Sequence, residues 1–115
     1  MCKGGVTEKN KNSVTLKRSY NMEKDVERFL TKGIEKLGGK CYKWVSPNTN
    51  GVPDRICLLP KGMIIFVELK DYRGRISELQ KIQHKTIQNL GFQVYVLNSK
   101  ERVTEFLSFC KELVS

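Results

Sequence analysis

Gly51-Val52-Pro53-Asp54-Arg55-Ile56-Cys57-Leu58-Leu59, then Pro60-Lys61-Gly62, then Met63-Ile64-Ile65-Phe66-Val67-Glu68-Leu69-Lys70, is the stretch that decides the fold. Two short apolar runs around a Pro/Gly turn have the pattern of a β-hairpin. Its charges sit at one end. Asp54 opens the first run, and Glu68 and Lys70 close the second. Alternate side chains of a strand share a face, so Glu68 and Lys70 point one way and Leu69 the other. A hairpin sets the start of its first strand beside the end of its second. Two carboxylates and an ammonium therefore converge at one end of a sheet.

Working outward, Met22 to about Leu37 reads as a helix with Asn21 as N-cap and Gly38-Gly39 as its stop. Val26, Phe29, Leu30, Gly33, Ile34 and Leu37 form its apolar stripe. Glu23 lies at the edge of that stripe, whereas Glu27 lies further round, toward solvent. An acid in a first helical turn is also favourable for the helix itself, so Glu23 has a structural reading as well as a functional one. Cys41–Val45 is a strand, and Ser46-Pro47-Asn48-Thr49-Asn50-Gly51 a polar loop. Beyond the hairpin comes a basic loop, Asp71-Tyr72-Arg73-Gly74-Arg75. Ser77 then caps a second helix, with Leu79, Ile82, Thr86, Ile87 and Leu90 assigned to its buried side. Phe92–Leu97 is a mostly buried strand. Asn98 or Ser99 caps a last helix carrying Val103, Phe106, Leu107, Cys110 and Leu113. The order is α-β-β-β-α-β-α, and the strand-helix-strand passage from Met63 to Leu97 implies a parallel, right-handed crossover. The fold class is an α/β sandwich with a mixed sheet.

The 115 residues suit one domain with one core. Residues 1–21 are polar and basic and read as a flexible arm, with a weakly alternating Ser13–Leu16 able to add a strand; 22–115 form the folded unit. The formal net charge of +9 implies a polyanionic partner, most simply nucleic acid. No apolar run approaches the roughly 20 residues of a membrane helix, and Met1–Gly5 carries no secretory signal, so an intracellular location is expected. Four cysteines without a Cys-x-x-Cys pair, and the lone His84, match no zinc spacing; Cys41, Cys57 and Cys110 sit in apolar runs as small hydrophobes.

Carboxylates about 4 Å apart raise each other's pKa unless a cation or hydrogen bonds compensate. A hard divalent ion such as Mg²⁺, with Mn²⁺ as a substitute, is the usual solution, held by one or two carboxylates together with substrate phosphate and water. A lysine beside it can orient or deprotonate the attacking water, or neutralise charge on phosphorus oxygens. Asp54, Glu68 and Lys70 supply those parts. Arg73 and Arg75 are placed to bind a phosphate backbone, Tyr72 to stack on a base, and Lys43 to add a further cation for nucleic acid. Trp44 is assigned to the core. Gln80, in the first turn after Ser77, sits above the end of the Lys70 strand. His84, one turn on, shares that flank as a partly buried or DNA-facing histidine.

Pro53-Asp54 with Glu68-Leu69-Lys70 resembles the PD-(D/E)XK nuclease superfamily, and more narrowly the virus-type replication-repair nuclease (VRR-NUC) domain, in its stand-alone phage-type form. Glu23, Gly51-Val52-Pro53-Asp54, Ser77-Glu78-Leu79-Gln80 and Gly91 extend the resemblance over Met22 to about Leu97. It implies a restriction-endonuclease-like fold, with Asp54, Glu68 and the backbone carbonyl of Leu69 as metal ligands. Glu23 would complete the acidic cluster, Lys70 would act on the water, and Gln80 would line the site. It also implies a homodimer cleaving branched or Holliday-junction-like DNA in phage replication, recombination or repair, within the bacterial host and without a small-molecule cofactor. Two other readings remain open at this point: a basic DNA-binding module that does not cleave, and an RNA-processing nuclease.

Overall fold

A computed structural model describes residues 11–70 and 74–115, with side chains of the first helix described from Lys24 onward. The elements are α1 (Lys11–Lys36), β1 (Lys40–Lys43), β2 (Arg55–Leu59), β3 (Met63–Leu69), α2 (Glu78–Asn89), β4 (Gln93–Leu97) and α3 (Lys100–Val114). Their order is the one expected. The four strands lie side by side as β1-β2-β3-β4, antiparallel across the first two contacts and parallel between β3 and β4. This mixed sheet with its helices is the restriction-endonuclease-like sandwich.

The first helix begins earlier than expected. It starts at Lys11, so residues 11–21 are helix rather than arm, Ser13–Leu16 is not a strand, and Asn21 is interior rather than a cap. No Gly or Pro interrupts the chain from Lys11 to Lys32. Once the anchored half is helical, each further residue adds a hydrogen bond without a new nucleation cost, and polar composition does not stop it. Residues 1–10 of the expected arm lie outside the described residues.

One face of the sheet carries the core. Cys57, Leu59, Ile65, Val67 and Leu97 alternate inward and pack on Val26, Leu30 and Ile34 of α1 and Val103, Phe106 and Cys110 of α3. Phe29, assigned to the α1 stripe, is instead 39% exposed. Gly33 serves as the crossing point of the two helices: a Cβ there would lie 2.2 Å from Leu107 Cδ1. Ser99 caps α3, its hydroxyl accepting from Arg102 N–H. Cys41 and Cys57 face each other across β1 and β2 as free thiols, Sγ to Sγ 3.9 Å, and Cys110 is free too.

The opposite face is built differently. Trp44 tilts against Phe66, 5.3 Å between ring centroids, and Phe66 meets Phe92 edge-on at 5.6 Å. α2 lies over this side, but not on its expected face. Leu79, Ile82 and Leu90 are 53%, 56% and 72% exposed, Thr86 is exposed too, and the buried members of the helix are His84 and Ile87. The rotation follows from the helix start. Ser77 and Gln80 form a reciprocal capping box, Ser77 Oγ accepting from Gln80 N–H and Gln80 Oε1 from Ser77 N–H. That box, with Gln80 bonded onward to Glu68, turns the Gln80–His84–Ile87 line toward the sheet.

Candidate active site

The charged end of the hairpin is assembled as the alternation requires. Arg55 pairs with Val67, which sets Asp54 opposite Glu68. Asp54 Oδ2 accepts a hydrogen bond from Leu69 N–H at 3.0 Å, and its own carbonyl accepts from Trp44 N–H at 2.8 Å. The carboxylate is thus held on the backbone of the strand that carries its partner. Lys70 N–H donates to Leu97 O at 3.0 Å, extending the parallel ladder one residue past β3.

The Gly51-Val52-Pro53-Asp54 motif has a structural cause. Gly51 takes φ +92°, and a Cβ on it would lie 2.6 Å from Leu79 O and 3.0 Å from Gln80 N. Only glycine lets the loop pass that close to the start of α2. Pro53 is fully buried behind it. The loop therefore ties the position of Asp54 to the helix turn that presents Gln80.

Glu68 is the centre of the site. It is 1% exposed. Its Oε2 accepts from Gln80 Nε2 at 3.0 Å and lies 3.7 Å from Lys70 Nζ, while its Oε1 lies 3.6 Å from His84 Nε2. Glu68 Oε1 and His84 Nε2 are both buried without a hydrogen-bond partner. Burial, reinforced by the neighbouring Asp54, pushes the Glu68 carboxyl up to about 7, with Lys70 opposing. Burial holds His84 below its ordinary value; Lys70 adds to that and Asp54 opposes it.

Of the residues expected at the site, Asp54, Glu68, Lys70 and Gln80 are brought together. Glu23 lies in α1, its side chain outside the described residues, and Tyr72 and Arg73 lie outside them altogether. Arg75 and Lys43 are exposed, Lys43 at the end of β1 directly opposite Arg55. Glu27, read as a surface charge, pairs with Arg55 beside the site. The contact of His84 with Glu68 was not foreseen, although its spacing of four from Gln80 carried the signal.

The residues suit a hard cation. A buried carboxylate oxygen without a partner, next to a second carboxylate, presents the oxygen donors that Mg²⁺ prefers. Among the described residues no three His, Cys, Asp or Glu side chains gather as a ready ligand set. Two carboxylates are within the one or two that Mg²⁺ ordinarily takes from protein. No helix among the described residues is long and apolar enough to cross a membrane.

The VRR-NUC domain family matches residues 8–101. The chain belongs to the VRR-NUC family. A relative named "Putative nuclease p44", from Acyrthosiphon pisum secondary endosymbiont phage 1, is 43% identical over 79 residues, 69% of this chain and 85% of the relative. A solved structure described as a VRR_NUC domain superposes with a TM-score of 0.71 at 30% identity, covering 76% of this chain and 95% of its own. As a member of this family, the chain is a nuclease.

Proposed function

We propose that this VRR-NUC domain is a Mg²⁺- or Mn²⁺-dependent endonuclease that hydrolyses DNA phosphodiester bonds. Its substrate is branched or structured DNA, met in phage replication, recombination or repair inside the bacterial host. The observation that carries the proposal is the buried Glu68 carboxylate, set opposite Asp54, with one oxygen left unpartnered and Lys70 at its rim.

Asp54, Glu68 and the backbone carbonyl of Leu69 would hold the cation. When bound, it would polarise the scissile phosphate and make the attacking water more acidic. The chain's own residues do the rest. Asp54 is fixed by the Leu69 N–H, so its carboxylate need not reorganise as substrate arrives. Gln80 holds Oε2 of Glu68. Lys70, with a quarter of its side chain exposed, reaches the mouth of the site. There its ammonium orients the water and neutralises charge growing on the phosphorus oxygens. Arg75 and Lys43 offer phosphate contacts on the flanks, in a chain whose net charge is +9.

A homodimer, with two such sites on one assembly, fits cleavage of a junction on paired strands. The test is cleavage of plasmid and of a four-way junction with Mg²⁺ or Mn²⁺. Asp54→Ala is expected to abolish cleavage while retaining salt-sensitive DNA binding. Undiminished cleavage by that variant would sink the proposal.

A further inference from the structure

α2 presents two polar side chains to the same carboxylate. Gln80 and His84 are four residues apart, one turn of helix, and so lie on one face. Gln80 Nε2 occupies Oε2 of Glu68 at 3.0 Å, and His84 Nε2 stands 3.6 Å from Oε1. Both histidine and carboxylate are nearly closed to solvent, at 7% and 1% exposure. The two facing atoms have no other hydrogen-bond partner. A buried polar atom without a partner is costly, and here two such atoms face each other a few tenths of an ångström beyond bonding distance.

We propose that His84 is a positioning residue for Glu68: its Nε2–H faces Oε1 while Gln80 holds Oε2, and together they fix the plane of the carboxylate. Each oxygen then has one donor from a successive turn of one helix and keeps its second lone pair for a cation, and rotation about the last bond of Glu68 is blocked. The carboxylate keeps its edge toward Asp54 and Lys70. The proposal rests on the reading of the site as a metal-dependent nuclease, in which a tilt of Glu68 misplaces one of the two carboxylates brought together among the described residues.

Three substitutions separate positioning from packing. His84→Leu fills similar space without a donor. His84→Asn carries a donor too short to reach. His84→Gln places an N–H at about the reach of the histidine Nε2. His84→Leu and His84→Asn are expected to slow cleavage roughly 10- to 100-fold, the ordinary loss when a partner of a ligating group is removed. DNA affinity should change less than about twofold, since nothing facing the nucleic acid is altered. His84→Gln should recover most of the rate. In the unaltered protein, two-bond ¹H–¹⁵N spectra should show the imidazole proton on Nε2, with a shift that moves in Glu68→Gln.

Wild-type cleavage by His84→Leu overturns the proposal. So does equal impairment of the Leu and Gln variants with matched thermal unfolding, or a proton found on Nδ1. A wild-type protein that cleaves nothing with either metal would refute the reading of the site as a metal-dependent DNA endonuclease separately. The imidazole spectrum would still decide whether His84 addresses Glu68.

Discussion

The two faces of the sheet follow opposite rules. On the side of α1 and α3, apolar side chains are buried and polar ones exposed: Leu30, Ile34, Cys57, Val67, Val103 and Cys110 have no exposure at all. On the side of α2, a glutamate and a histidine are buried while Leu79, Ile82 and Leu90 are exposed. Both faces arise from the same strands, and even from neighbouring residues, Val67 facing one way and Glu68 the other. One face supplies the burial that holds the fold. The other spends stability on a preorganised polar cluster. If that division is right, substitutions on the two faces should separate stability from chemistry.

The largest effect on stability belongs to the first face. Leu30→Ala deletes a wholly buried side chain between α1 and the sheet. It should lower unfolding free energy by about 2–5 kcal/mol, read by urea or thermal denaturation. Below its melting range the variant should still bind DNA. A loss under 1 kcal/mol would mean that the α1 side is not where the fold gains its stability.

The next effect belongs to the second face and has the opposite sense. The Glu68 carboxyl is raised in the folded chain to about 7, against an ordinary value near 4.5, chiefly by burial. Below about 4.5 both folded and unfolded chains hold the proton, and Glu68 leaves stability unchanged. As pH rises the unfolded chain releases it first, so the fold loses stability through the window from 4.5 to 7. Between pH 5 and 8 the metal-free protein should lose about 2–3 kcal/mol through this group. Glu68→Gln should flatten that dependence and be the more stable form at pH 8. His84, held below its ordinary value, acts only in the other direction, costing stability as pH falls below about 6.5. A wild-type protein whose stability follows the same pH dependence as Glu68→Gln between pH 5 and 8 would show that Glu68 is less desolvated than its 1% exposure implies.

The same contrast explains what could be read from the sequence. Strand alternation and a Pro/Gly turn are local signals, so the hairpin, its charged end and the parallel return at β4 follow from residues 51–97 alone. The four site residues Asp54, Glu68, Lys70 and Gln80 were legible because a hairpin fixes which ends meet and a capping residue fixes where a helix starts. The facing of α2 was not. Apolar periodicity assigned Leu79, Ile82 and Leu90 to the interior, but the helix, started by its local capping box, is turned by the Gln80–Glu68 bond, whose partners lie twelve residues apart. Nor could composition show that residues 11–21 would be helical, since cooperativity from the anchored half overrides a polar sequence. Gly51 was legible as a motif, but its reason, the Leu79 carbonyl against it, needed the fold.

The smallest expected effect is the sharpest check on the exposed α2 face. Leu90 is 72% exposed at the end of α2, just before Gly91. Were it core, as its periodicity suggests, Leu90→Ser would cost several kcal/mol. At an exposed position away from the site it should shift unfolding free energy by no more than about 0.5 kcal/mol, measured at micromolar protein where association is weakest. Cleavage rate should not change, since Leu90 stands nearly three turns from Gln80 along the helix. A loss that grows with protein concentration would have a different origin. It would mean that a second copy covers this face, and that the leucine contributes to the assembly rather than to the fold. A loss of several kcal/mol independent of concentration would break the comparison itself, because the α2 side would then have an apolar core of its own.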